Sequence, residues 1–259
     1  MKPLLVILRY DHGNLKPSWD PGAHADIDGD GTLSRWEQEA VQLQGYGDAA
    51  WRALAARGGA PLPAGVDADT IEHLRSLWAS SGVAVVRYGR GPVPEDCRRK
   101  DGRWLSGYST SHRVINKWGE TWYEATGGHS VVLCLHANAG GPTARHGIIG
   151  RDRRSSLAER FAEPFAKALE GLSEVSSVTR TKHFDDRKTS AKPWLYRGMY
   201  VLGGAFVGPD THTALLIEPG FLDSVHHKTL WYEDGHRRLG AALVDGAVTL
   251  AQALDRKVT

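Results

Sequence analysis

Short apolar runs rich in β-branched residues recur along the chain, at Leu4 to Leu8, Val83 to Tyr88, Val131 to Leu135, Met199 to Val207 and Ala214 to Ile217, with helical patterns between most of them. Alternation of that kind lays helices on the faces of a sheet. The expected fold is therefore α/β: a single domain over residues 1–259, with a mostly parallel twisted sheet flanked by helices. Helical candidates are Ser34 to Arg57, Asp67 to Ser80, His112 to Thr126, Ser155 to Leu172 and Arg237 to Leu254. In the last of them Leu239, Leu243, Ala247, Leu250 and Leu254 return at helical spacing, a stripe that belongs in the core. Gly58 to Gly65 and Gly89 to Gly107, rich in Gly and Pro, are surface excursions. No internal repeat or low-complexity tail sets off a separate binding module.

The 259 residues carry 32 Lys and Arg against 30 Asp and Glu, and the arginines are scattered apart from short runs such as Arg151 to Arg154. A net charge of +2 gives no electrostatic footprint for nucleic acid, so no such partner is expected. With 41% hydrophobic and 24% charged residues, disorder is excluded as the main state. Cys97 and Cys134 are too few for a disulfide framework and too far apart for a metal knuckle, and Cys134 sits in an apolar run as a small buried thiol would. The opening apolar run, Leu4 to Leu8, stops at Arg9, well short of the about 7–15 residues of a signal-peptide core. It is expected to be a first strand. No apolar stretch is long enough to span a membrane.

Asp26-Ile27-Asp28-Gly29-Asp30-Gly31-Thr32-Leu33-Ser34-Arg35-Trp36-Glu37 places carboxylates at positions 1, 3, 5 and 12, Gly at 6 and a hydroxyl at 9. A hard cation that takes about seven oxygens needs this crowding, the Gly for a sharp turn and a terminal Glu able to bind through both oxygens. The segment resembles an EF-hand loop, which implies calcium held by Asp26, Asp28, Asp30, Thr32 and Glu37. Pro17, Pro21 and Gly22 crowd the stretch before it, so only the outgoing helix is expected, and the loop is expected to clamp structure before it switches anything.

Three ligand-competent residues stand at the ends of apolar runs: His12 after the first, His136 after Val131 to Leu135, and Glu218 after Ala214 to Ile217. Strand ends in open α/β sheets are where ligands gather. The remaining histidines read as surface or packing residues, with His226 and His227 the pair most able to border a groove. Nine tryptophans, Trp19, Trp104, Trp122, Trp194 and Trp231 among them, read as core and rim.

The order and flanks of these residues are similar to those of the zinc-dependent N-acetylmuramoyl-L-alanine amidases of phage endolysins and bacterial autolysins. Asp11-His12-Gly13-Asn14 and Asp20-Pro21-Gly22-Ala23 resemble that family's first histidine motif and the stretch after it. Arg113-Val114-Ile115-Asn116 leading to Val131–Ala139 resembles its Arg-bearing helix and second histidine motif. Leu216-Ile217-Glu218-Pro219-Gly220-Phe221-Leu222 resembles its catalytic glutamate motif, and the likeness runs from about residue 4 to residue 254. It implies zinc held by His12, His136 and a glutamate that opens the first helix, with Glu218 as general base and acid. Glu37 and Glu39 both qualify for the helix position; Glu37 is committed to the calcium loop, whereas Glu39 lies between Trp36 and Leu43 near the apolar face, so Glu39 is assigned to zinc. His24 is the reserve for His12.

The resemblance implies hydrolysis of the amide between N-acetylmuramic acid and the L-alanine of the stem peptide, with peptidoglycan as the partner; the sequence does not give the oligomeric state, and a monomer is favoured. The resemblance further implies an endolysin made in the host cytoplasm without a signal peptide and acting on the wall after release. The competing expectations are another zinc peptidase or amidohydrolase of peptidoglycan, and a calcium-dependent wall-binding protein without catalysis. A pure binding module has no need of Glu218 beside His136.

Overall fold

The computed structural model describes residues 3–10, 12, 21–56, 83–88, 107–152, 156–183 and 211–255. The elements run β1 (Leu4–Tyr10), α1 (Glu39–Ala56), β2 (Val83–Tyr88), α2 (Gly107–Thr126), β3 (His129–Leu135), β4 (His146–Asp152), α3 (Ser156–Glu170), β5 (Ser177–His183), β6 (His212–Glu218) and α4 (Glu233–Asp255), with 3-10 turns at Arg35–Glu37 and Lys228–Trp231. The expected helix Asp67 to Ser80, the strand Met199 to Val207, the excursion Gly58 to Gly65, nearly all of Gly89 to Gly107, and Cys97 lie outside the described residues.

The six strands form one sheet in the order β2-β1-β3-β6-β4-β5. β2, β1, β3 and β6 are parallel neighbours, while β4 pairs antiparallel with β6 and parallel with β5. The α/β fold with a mostly parallel sheet is as the sequence led us to expect. β4 and β5 are additions to it: their sequences, HGIIGRD and SVTRTKH, lack the apolar runs that mark the other four.

Strand alternation divides the core between the two faces. Leu4, Val6, Leu8, Val131, Leu133, Leu135, Leu215 and Ile217 enter the larger cluster, which Leu43, Tyr46 and Leu54 of α1, Phe161 and Phe165 of α3, and the Leu239–Leu254 stripe of α4 complete. On the other face α2 brings buried Ile115, Trp118 and Trp122, and the Trp118 ring meets Tyr88 edge-on. Trp122 and Trp231 are core residues, as is Cys134. No helix among the described residues is long and apolar enough to cross a membrane.

Three histidines packed into this core make the fold sensitive to acid. Burial pushes His212, His227 and His236 down to about 4. For His227 the charges of His146 and His226 add to the burial, and its Nδ1 accepts the Phe221 N–H at 3.0 Å. Each has a folded pKa below its unfolded value near 6.5, so the unfolded chain binds more protons between pH 6.5 and 4. Stability is thus full above that window and falls as pH falls through it, by about 1.4 kcal/mol per pH unit for each histidine that stays neutral. Glu174, held at about 2 by Thr229 and Arg238 despite its burial, extends the loss below pH 4.5. Urea midpoints measured from pH 7.5 to 4.5 should drop continuously, and His212→Gln should flatten the slope by about one proton's worth. A midpoint constant over that range would contradict the assignment.

Candidate metal centre and its carboxylate neighbour

Three residues of the site stand at the carboxyl ends of adjacent parallel strands. His12 follows β1, His136 follows β3 and Glu218 ends β6, and the sheet order places β1 beside β3 and β3 beside β6. The ladder continues past the sheet: His136 N donates to Ile217 O at 2.9 Å and Asn138 N to Gly220 O at 3.0 Å. Strand ends of this kind are where ligands gather in open α/β sheets.

The fourth residue comes from a helix start that the local sequence does not mark. Ser34 was expected to open the first helix, but Arg35–Glu37 is a 3-10 turn, Gln38 is extended, and α1 begins at Glu39. Its first amides are taken by the chain before the acidic loop, with Glu39 N donating to Ala23 O at 2.7 Å and Ala40 N to Pro21 O at 3.0 Å. A backbone bridge between His24 and Gln38 closes the same junction. These contacts turn Glu39 inward, where it is buried.

Glu39 Oε1 lies 3.1 Å from His136 Nδ1, and Oε2 lies 3.4 Å from His12 Nε2. The two imidazoles meet edge-on, ring centroids 5.2 Å apart. One ligand atom from each of His12, Glu39 and His136 falls within 4.8 Å of the others, a spread that one ion can close. Backbone donors fix the carboxylate from both sides, Ala23 N on Oε2 at 2.8 Å and Ala137 N on Oε1 at 2.9 Å. Burial opposes ionisation of Glu39, yet the hydrogen bond and charge of His136, the charge of His12 and the Ala137 N–H together hold its carboxyl below the ordinary value. Tyr46 Oη donates to His136 O at 2.8 Å and fixes the strand end from beneath.

Glu218 stands beside this group. Burial pushes its carboxyl above the ordinary value; the His136 charge pulls it down, the Glu39 charge pushes it up, and the hydrogen bond from Asn138 pulls it down. A carboxyl raised toward neutrality next to a metal-type donor set suits proton transfer in both directions. His24, the reserve ligand, is exposed and outside the cluster. His227 is fully buried and supports the Gly220–Phe221 turn instead of lining a groove. Sequence reasoning assigned no role to Asn138, Gly22 or Tyr46, although the first two lie inside quoted motifs.

In the acidic loop, Asp26, Asp28 and Asp30 also present ligand atoms within 4.8 Å of one another. Gly29 and Gly31 adopt φ of +82° and +84°, which lets Asp26 accept the N–H groups of Gly29, Asp30 and Gly31. Those bonds, Gly31's above all, hold Asp26 below the ordinary carboxylate range. Asp30 accepts Thr32 N at 2.7 Å. Glu37 is engaged differently: Oε2 accepts both N–H and O–H of Ser34, and Oε1 accepts the N–H of buried Ile27. Asp11, Trp19, Trp104, Trp194 and the side chain of Arg113 lie outside the described residues.

The α/β fold, a six-stranded mostly parallel sheet flanked by helices, is like that of N-acetylmuramoyl-L-alanine amidase catalytic domains. The chain is similar to the catalytic domain of CwlV, an N-acetylmuramoyl-L-alanine amidase from Bacillus (Paenibacillus) polymyxa var. colistinus, with a TM-score of 0.50 and 18% identity over 98% of this chain and 99% of that one. It is similar to the amidase Ami1 from Mycobacterium smegmatis with a TM-score of 0.53 and 14% identity, over 96% and 97% of the two chains. The catalytic domain of CD27L, an endolysin targeting Clostridia difficile, gives a TM-score of 0.51 and 13% identity over 96% and 98%. No family model matches the sequence, and no curated protein is significantly similar to it.

Proposed function

We propose that the chain is a zinc-dependent peptidoglycan hydrolase that cleaves the amide between N-acetylmuramic acid and the L-alanine of the stem peptide. The observation that carries this is the His12–Glu39–His136 cluster with Glu218 on the next strand end, set in an amidase fold. Two imidazole nitrogens and one carboxylate oxygen are a catalytic zinc set that keeps a position open for substrate, so the residues fit the ion. A bound zinc ion supplies Lewis-acid chemistry, polarising the scissile carbonyl and acidifying water.

Glu218 takes a proton from the attacking water as the new C–O bond forms. It returns that proton to the departing nitrogen as the C–N bond breaks, so one group serves as base and then acid. Glu39, clamped by Ala23 and Ala137, holds the two imidazoles apart at a fixed span. An endolysin role, in keeping with the name of the CD27L endolysin catalytic domain, is part of this proposal, as are synthesis in the host cytoplasm and action on the wall after release. Calcium at Asp26, Asp28, Asp30, Thr32 and Glu37 belongs to the same proposal. The loop is tied to α1 at the His24–Gln38 bridge, and an ion that quiets repulsion among its carboxylates would steady the helix start that presents Glu39.

The experiment is mass spectrometry of muropeptides released by the purified protein before and after zinc-selective chelation. A free lactyl carboxyl on muramic acid and a free L-alanine amino group are expected, with release lost on chelation and restored by zinc; release by a metal-free preparation, or any other cut, would refute the assignment. In saturating zinc, calcium should raise the melting temperature as a ligand of the folded state alone does. Identical melting and activity with and without calcium would make the loop a passive acidic turn.

A further inference from the structure

We propose that Asn138 is a positioning residue for Glu218, fixing which carboxylate oxygen stays available for proton transfer. The inference rests on the reading of Glu218 as the group that moves the proton. Asn138 Nδ2 donates to Glu218 Oε2 at 3.1 Å, and Asn138 Oδ1 accepts Ala139 N at 2.8 Å. The second contact orients the first: with Oδ1 held by a backbone N–H, the amide can only present its NH2 group to the carboxylate.

The main chain of Asn138 is tied to the segment that continues from Glu218. Its N–H donates to Gly220 O at 3.0 Å and its carbonyl accepts Leu222 N at 2.8 Å, a parallel bridge beyond the sheet. Donor and acceptor are therefore built on one rigid unit, although they are 80 residues apart in sequence. The far end of the loop is held as well, because Asp223 accepts Gly140 N at 3.0 Å and Gly141 N at 3.2 Å. Among the described residues Glu218 Oε2 takes this bond and Oε1 takes none. One oxygen is thus anchored and the other left to exchange a proton.

The test compares Asn138→Ala and Asn138→Asp with the wild type. The Asp variant keeps the size and the acceptor for Ala139 but sets a second carboxylate against Glu218 in place of the donor, so a side chain of the right shape with the wrong polarity is tested beside simple truncation. Asn138→Ala should keep its metal content, melting temperature and KM and lose about tenfold or more in kcat, the scale of a hydrogen bond to a charged group, and Asn138→Asp should lose at least as much in kcat. In a Glu218→Gln background the same changes should cost nothing further. In crystals of Asn138→Ala the Glu218 carboxylate should leave its wild-type position. An unchanged kcat, or an equal loss in the Glu218→Gln background, overturns the inference. If the wild type itself leaves walls intact, the proposed function fails while the crystal comparison still decides this point: a Glu218 carboxylate that stays in place without Asn138 overturns it.

Discussion

The Glu218→Gln protein is expected to fold, to hold zinc as the wild type does and to release muropeptides about 10²- to 10⁴-fold more slowly, the usual worth of general acid and base catalysis. Glu218 is outside the His12–Glu39–His136 cluster, so its neutral isostere leaves all three donors in place. The amide oxygen of a glutamine can still accept from Asn138 Nδ2, which keeps the side chain where the carboxylate was. What it cannot do is carry a proton from water to the leaving nitrogen. Metal analysis and turbidity clearance on the same preparation separate the two properties. A variant that clears walls at near the wild-type rate would make Glu218 a structural residue.

His136 and Glu218 were legible because each follows an uninterrupted apolar run, and such runs are buried parallel strands whose carboxyl ends gather ligands. The register that pairs Leu135 with Ile217 then brings the two ends together. β4 and β5 were not legible for the opposite reason. Gly147, Gly150 and Arg151 interrupt β4, and in β5, the edge strand among the described residues, Val178 is buried between polar neighbours that face outward. The start of α1 was misplaced because Ser34 and Glu37 form a local capping pattern. The bonds that actually start the helix, from Glu39 and Ala40 to Ala23 and Pro21, span a loop and leave no local mark. That same misplacement left Glu37 and Glu39 to be separated by argument about faces, and the structure puts Glu39 in the cluster. Asn138 stood in plain view beside His136, but its role depends on a partner from another strand, which periodicity does not report.

Gly22→Ala should weaken zinc binding by tenfold or more, with activity falling in proportion. Gly22 has φ of +68°, a conformation that costs a residue with a Cβ about 1–2 kcal/mol. The larger effect is spatial: a Cβ there would lie 2.6 Å from Glu39 Oε2 and 2.8 Å from Cγ of His12. Glu39 cannot yield cheaply. It is pinned by Ala23 N and Ala137 N, and it is buried with no room to rotate without abandoning one of them. The intruding methyl therefore pushes apart two of the three metal-facing groups, and about 1.4 kcal/mol of mismatch already corresponds to tenfold in affinity. Gly127→Ala supplies the control, because Gly127 has a similar φ of +66° but nothing within 4 Å of its would-be Cβ. Both variants should lose comparable backbone stability in urea, and only Gly22→Ala should lose zinc in competition with a chelator. Equal zinc affinity in the two would show that the close approach of Gly22 does not shape the site, and that Glu39 and His12 are held by their other contacts alone.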